Sequence, residues 1–172
     1  MANAFAAILA RMRFCLATPF CLVLALPAQD LATTVDALTD TGNSRFIALR
    51  RILTPLAKYW ICKRTPGHAY EAMECIGGSG VMEDGPFPRL YREAPVNAIW
   101  EGSGNIQCLD VLRAMSKTPE VVDAFFAELR LTQGQNQLLD QHVRSLGKEF
   151  ADPTDLQYRA RHVVERMALA LQ

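Results

Sequence analysis

The chain has 172 residues, half of them apolar, with 18 basic and 18 acidic side chains. That length buries a hydrophobic core without disulfide help, and the apolar content excludes extensive disorder outside linkers. Zero net charge without a basic tail gives no bulk support for nucleic-acid binding and leaves only a local basic patch open. The five cysteines contain no Cys-x-x-Cys pair, which argues against a zinc site or a disulfide framework and for buried free thiols in a cytosolic protein.

Ala2 to Met12 is Ala-rich and helix-prone. Arg11 and Arg13 then precede an apolar run from Phe14 to Ala28, broken by Pro19 and Pro27. That is the layout of a signal peptide; the other reading is a buried helix. The run is too short and too interrupted for a transmembrane helix. Thr33 to Gly42 reads as a loop, and Asn43 or Ser44 can cap the helix that follows.

Ile52, Leu56, Tyr59 and Trp60 recur at helical spacing, and Ala69, Met73 and Ile76 continue the stripe. Pro55 and Pro66 are each expected to bend or break this helix, because proline lacks the amide hydrogen. Gly77 and Gly78 stop it. Residues 77–100 hold little periodicity and read as loop or short helix, a connection long enough to carry function. A second helix is expected around Asn105 to Met115, with Ile106, Leu109, Leu112 and Met115 facing inward. Lys117 to Pro119 breaks the chain. Glu120 to Arg130 is a third helix with Val122, Phe125, Phe126 and Leu129 on one side.

Gly134 separates a fourth helix, in which Leu138, Leu139, His142 and Leu146 align. Asp152-Pro153-x-Asp155 predicts the next helix start, with Asp152 as cap and Pro153 in the first turn. Leu156, Ala160, Val163, Val164, Met167 and Leu171 form its stripe, still periodic at Gln172. No clear strand follows residue 42, so the expected fold is an all-α bundle of antiparallel pairs, apparently truncated.

Residues 74–93 carry Glu74, the glycines 77, 78 and 80, Val81, Asp84, Arg89 and Glu93. A second element, Ile99-Trp100-Glu101-Gly102-Ser103-Gly104-Asn105-Ile106, follows. Together these resemble the C-terminal helical domain of the acyl-CoA dehydrogenase family. The stretch 90–113 and the segment Ala57 to Arg64 are similar to the AidB-like, alkylation-response branch of that family. The resemblance is strong from about Arg51 to Met115, plausible to Gln172 and poor over the first 40 residues. It divides the chain into an N-terminal apolar segment and loop (1–42), the family's C-terminal domain core (43–116) and an incomplete helical extension (117–172).

The resemblance implies an FAD-dependent α,β-dehydrogenation of an acyl-CoA thioester. Glu101 matches the position of the family's base. A glutamate serves there when an apolar site lifts its pKa toward neutrality; the structural alternative is a first-turn acid that stabilises a helix. Ser103 and Asn105 resemble residues that hold the flavin. Gly77 and Gly78 resemble a turn that approaches a neighbouring subunit's flavin, and are otherwise a helix stop. Glu74 stands where glutamine is commoner, which removes a donor near phosphate. Arg92 reads as an ion-pair partner or an anion contact, and Trp60 and Trp100 as packing residues. His68, His142 and His162 form no ligand motif, and no metal is expected.

The family's N-terminal and middle domains are not seen in this sequence. The isolated chain is therefore expected to be inactive alone, needing a homo-oligomer or a missing-domain partner. It is expected to be cytoplasmic and not membrane-bound. Two other readings stay open: weak DNA association, as implied by the AidB-like branch, and a non-catalytic helical oligomerisation module.

Overall fold

A computed structural model describes residues 44–172. The expectations for the Ala2 to Met12 helix, the apolar run 14–28, the loop Thr33 to Gly42, the Asn43 cap and Cys15 and Cys21 lie outside the described residues.

Helix α1 (Ser44–Ile76) runs unbroken through both prolines. Each proline follows a threonine whose hydroxyl donates to the carbonyl four residues back, Thr54 to Arg50 at 2.8 Å and Thr65 to Ile61 at 2.9 Å. Those bonds act on the turn that each ring perturbs. Pro55 also lies on the buried surface, where packing offsets the lost backbone bond. Neither proline therefore ends the helix, and Gly77, at φ +71°, does.

The connection after α1 is a 3-10 turn (Gly77–Val81), a short helix α2 (Phe87–Glu93) and a second 3-10 turn (Ala94–Ala98). Helices α3 (Gly104–Lys117), α4 (Glu120–Leu129), α5 (Gln137–Ala151) and α6 (Leu156–Ala170) follow. The described residues are an all-α bundle with α1 at its centre, packed against α3, α4 and α6, while α5 packs on α6.

The core joins Leu49, Ile52, Leu53, Leu56 and Trp60 of α1 to Cys108 and Val111 of α3, Phe125 of α4, Leu146 of α5 and Met167 of α6. Phe126 stands edge-on to both Phe125 and Phe150, each at 5.5 Å, and carries that packing from α4 to α5. Glu149, on α5, is ringed by Arg159, His162 and Arg166 of α6, which pins the last two helices together.

Three local expectations are corrected. In α3 the inward residues are Cys108, Val111 and Ala114; Ile106 and Leu109 are 56% and 41% exposed, although Leu112 and Met115 do pack on the core. In α5, Leu138 is 75% exposed, and the start is set by Asn136, whose side chain accepts the Leu138 and Leu139 amides. Asp152 does not cap α6. It ends α5, takes the Thr154 amide at 3.0 Å, and leaves Asp155 at φ +53° to begin α6.

Candidate active site

The segment from Trp100 to Gly104 carries the carboxylate that sequence singled out. Glu101 and Gly102 occupy the left-handed region in succession, at φ +57° and φ +107°. For glycine this is free; for glutamate it costs on the order of 1 kcal/mol or more and persists only where the surroundings impose it. Two side chains impose it here. Lys58, from α1, donates to the Trp100 carbonyl and, at 2.8 Å, to the Gly102 carbonyl. Gln107, from α3, donates to the Glu101 carbonyl at 2.9 Å.

Gly102 is favoured by its positive φ and Gly104 by close approach to the Tyr59 ring. A Cβ on Gly102 would stand 2.8 Å from the Gln107 amide nitrogen, and one on Gly104 would stand 3.2 Å from the Tyr59 ring. The loop thus lies directly on α1 and on the first turn of α3, and the Glu101 side chain is exposed.

Glu101 lines a groove of about 610 Å³ between the N-terminal half of α1 and α3. Ile47, Ile106 and Leu109, three of the apolar residues left out of the core, share this groove with Arg50 and Arg51. Arg51 is neutralised by a two-pronged bond to Asp110 at 2.8 and 3.0 Å. The groove therefore sets the Glu101 carboxylate beside apolar side chains and beside the guanidinium groups of Arg50 and Arg113, a surface with room for an apolar chain next to a charged group.

Ser103 and Asn105 lie on the other side of the loop. They line a hollow of about 450 Å³ with Cys62, Lys63, Pro66, Ile99 and Arg161. Its donors are a hydroxyl, an amide and two cations, a set matched to phosphate and other anionic oxygen groups. Cys62 contributes no nucleophile there. Burial pushes its thiol from 9.0 up to about 11; Lys58 opposes that rise and Glu101 adds to it.

Gly77 and Gly78 share neither cavity. At ~1.5 Å rise per residue, Gly77 is about 28 Å along α1 from the Lys58 turn that holds Glu101. A Cβ at Gly78 would meet open space, whereas one on Gly80 would stand 2.2 Å from the Met73 carbonyl oxygen. Among the described residues, only Gly80 of the three is demanded by packing.

Arg92 clips α2 to the preceding loop through Glu83, at 2.5 and 3.0 Å. Trp60 is buried, with the Arg64 guanidinium 3.1 Å from its ring centre. Trp100 is 48% exposed and is not a packing residue, and of the thiols expected to be buried, Cys62 and Cys108 are, whereas Cys75 is exposed. Among the described residues no group of three or more His, Cys, Asp or Glu is placed to hold a metal ion, and no helix is long and apolar enough to cross a membrane. Lys58, Lys63, Gln107 and Arg161 were missed by sequence reasoning. Lys58 and Lys63 lie within the segment Ala57 to Arg64 and Gln107 within the stretch 90–113, yet the resemblance gives them no role there, and Arg161 lies outside both.

Comparison with known proteins agrees with this architecture. The model of the family described as "Acyl-CoA dehydrogenase, C-terminal domain" matches residues 24–116, a span that contains the loop and both glycine elements. AidB of Escherichia coli (strain K12) is 48% identical over 105 residues, 61% of this chain and 19% of that protein. Acyl-CoA dehydrogenase family member 11 of Caenorhabditis elegans is 34% identical over 109 residues, 62% of this chain and 18% of that protein. The crystal structure of Caenorhabditis elegans ACDH-11 in complex with C11-CoA superposes with a TM-score of 0.73 at 25% identity, over 84% of this chain and 29% of that one. The chain spans about a fifth of the length of the curated relatives it matches.

Proposed function

Because the chain belongs to the acyl-CoA dehydrogenase family, through that family's C-terminal domain, we propose that it forms one wall of an FAD-dependent acyl-CoA dehydrogenase-like oxidoreductase of the AidB-like branch. The identity to the Escherichia coli relative supports the branch. The observation that carries the reading is Glu101: an exposed glutamate held in the left-handed region by two side-chain donors, at the edge of a groove with apolar residues. Backbone strain of this kind is retained where presentation of a side chain matters.

In this reading the Glu101 carboxylate accepts the proton from the α-carbon of an acyl thioester lying along Ile47, Ile106 and Leu109. Ser103 and Asn105, with Lys63 and Arg161 nearby, form a donor set that fits FAD, and Gly78 has open space for a group from another subunit. FAD, when bound, supplies the redox chemistry by accepting the β-hydride. The distance of Gly77 from the Glu101 loop suits two flavins, one on each of two chains, rather than one.

Among the described residues the groove is lined by α1, the Glu101 loop and α3 alone, so this wall by itself does not exclude water from a reacting thioester. The purified chain is expected to be colourless and inert toward acyl-CoA. Residues 24–116 exchanged into the full-length Escherichia coli relative are expected to retain a flavin absorbance band. A yellow chain that bleaches with acyl-CoA contradicts the inactivity, and an exchanged protein that folds but binds no flavin contradicts the cofactor assignment.

A further inference from the structure

We propose that Lys58 is a positioning residue for Glu101: its ammonium fixes the loop that presents the carboxylate without engaging the carboxylate itself. The inference rests on Glu101 being the base of the proposed reaction, and it assigns the means by which this chain aims that base.

The acceptors of the ammonium are the Trp100 and Gly102 carbonyls, one on each side of Glu101. Gln107 holds the carbonyl between them. Three successive carbonyls therefore accept from side chains of α1 and α3. A segment with two left-handed residues in a row cannot satisfy its carbonyls through a helix or a sheet, so side-chain donors take that place. An ammonium has three donors on one atom and serves two acceptors at once, which a single hydroxyl hydrogen does not.

The stem of Lys58 leaves α1 between buried Ala57 and buried Tyr59, so its origin is fixed by the core. Its acceptors are both main-chain oxygens. An ion pair to the carboxylate would oppose proton uptake by Glu101. Spending the donors on the flanking carbonyls holds the loop and leaves the carboxylate open to the groove.

The test uses the full chain without flavin or acyl-CoA, so it remains decisive if Glu101 proves not to be a base. Cleavage after Glu101 by a glutamyl endopeptidase is timed against cleavage after Glu120 in wild type, Lys58→Met and Lys58→Arg, with circular dichroism as fold control. Proteolysis of a folded chain tracks local opening. Lys58→Met is expected to speed cleavage after Glu101 by about tenfold, on the scale of one lost charged hydrogen-bond pair, without changing the rate after Glu120. Lys58→Arg, which retains paired donors, is expected to restore a near-wild-type rate.

The Glu101 amide-to-α proton coupling should shift away from its left-handed value in Lys58→Met and return in Lys58→Arg. Equal cleavage in wild type and Lys58→Met overturns the proposal, as does a Lys58→Arg chain cut as fast as Lys58→Met. Should Lys58→Met unfold, competitive acetylation of the wild-type chain decides. Lys58 is expected to react about tenfold more slowly than exposed Lys63, and equal reactivity overturns the proposal.

Discussion

The Tyr59 hydroxyl of α1 donates to the Glu165 carboxylate of α6 at 2.5 Å, while the Arg161 Nε–H donates to the same hydroxyl at 3.2 Å. Tyr59 is 2% exposed, and this half-buried bond couples the centre of the bundle to its last helix at the edge of the core. Tyr59→Phe keeps the ring and removes the bond to a charged partner. Urea unfolding is expected to show a loss of about 1.5–3 kcal/mol. In a double-mutant cycle, Glu165→Gln should cost less in the Tyr59→Phe background than alone. Additive losses would show that the pair is not coupled.

Burial and the Glu165 bond push the Tyr59 phenol from 10.0 to about 12. Burial pushes the Cys62 thiol from 9.0 to about 11 and the Cys108 thiol from 9.0 to about 12. Each group keeps its proton in the folded chain at a pH where the unfolded chain has lost it. The folded state then binds more protons, so stability falls as pH rises. These contributions are complete below about pH 9 and decline from there to about pH 12, through the windows of the three shifted groups. Urea midpoints measured up this range should fall progressively, and Cys62→Ala with Cys108→Ala should flatten the first part of the decline. A midpoint that does not change would contradict the burial of these groups.

The two ends of the hydrophobic pattern should differ sharply on truncation. Leu56 is fully buried in α1 and Leu138 is 75% exposed in α5. Leu56→Ala is expected to cost about 2–5 kcal/mol by unfolding titration, and Leu138→Ala less than about 0.5 kcal/mol. A comparable loss at both positions would contradict the placement of α5.

The glycine cluster separates in the same way. Gly80→Ala places a Cβ 2.2 Å from a backbone carbonyl, which cannot move without shifting α1. Its thermal midpoint is expected to drop, by a stability loss of about 1–3 kcal/mol. Gly78→Ala meets open space and should leave the midpoint within about 0.5 kcal/mol of wild type. If Gly78→Ala destabilises as much as Gly80→Ala, the turn is packed within this chain and is not open to another subunit.

The all-α architecture was legible because the apolar stripes of α4, α6 and the first half of α1 recur at helical spacing and feed one core; the expected continuation through Ala69, Met73 and Ile76 stays outside it, with Ile76 40% exposed. The same spacing predicts Ile106 and Leu109 in the core. Their spacing is helical, but α3 offers a second apolar face, Cys108–Val111–Ala114, and only packing against α1 selects between the two. The prolines misled because the rule for proline is local, whereas Pro55 is held by burial and by the Thr54 bond. Asp152 was read as a helix start from its neighbours alone; its carboxylate closes a turn on Thr154 instead. At the site, sequence supplied Glu101 through a motif. Lys58 and Gln107 were illegible because their partners are carbonyls, which every residue has, brought near by the packing of α1 and α3.

The most direct test of Glu101 as the base is acyl-CoA-driven flavin reduction, measured by stopped-flow absorbance. The protein would be the full-length Escherichia coli relative carrying residues 24–116 of this chain, with Glu101 or with Glu101→Gln. The glutamine variant should keep the flavin band and lose reduction rate by about 10²–10⁴-fold. Reduction at the same rate with glutamine at position 101 would contradict the assignment.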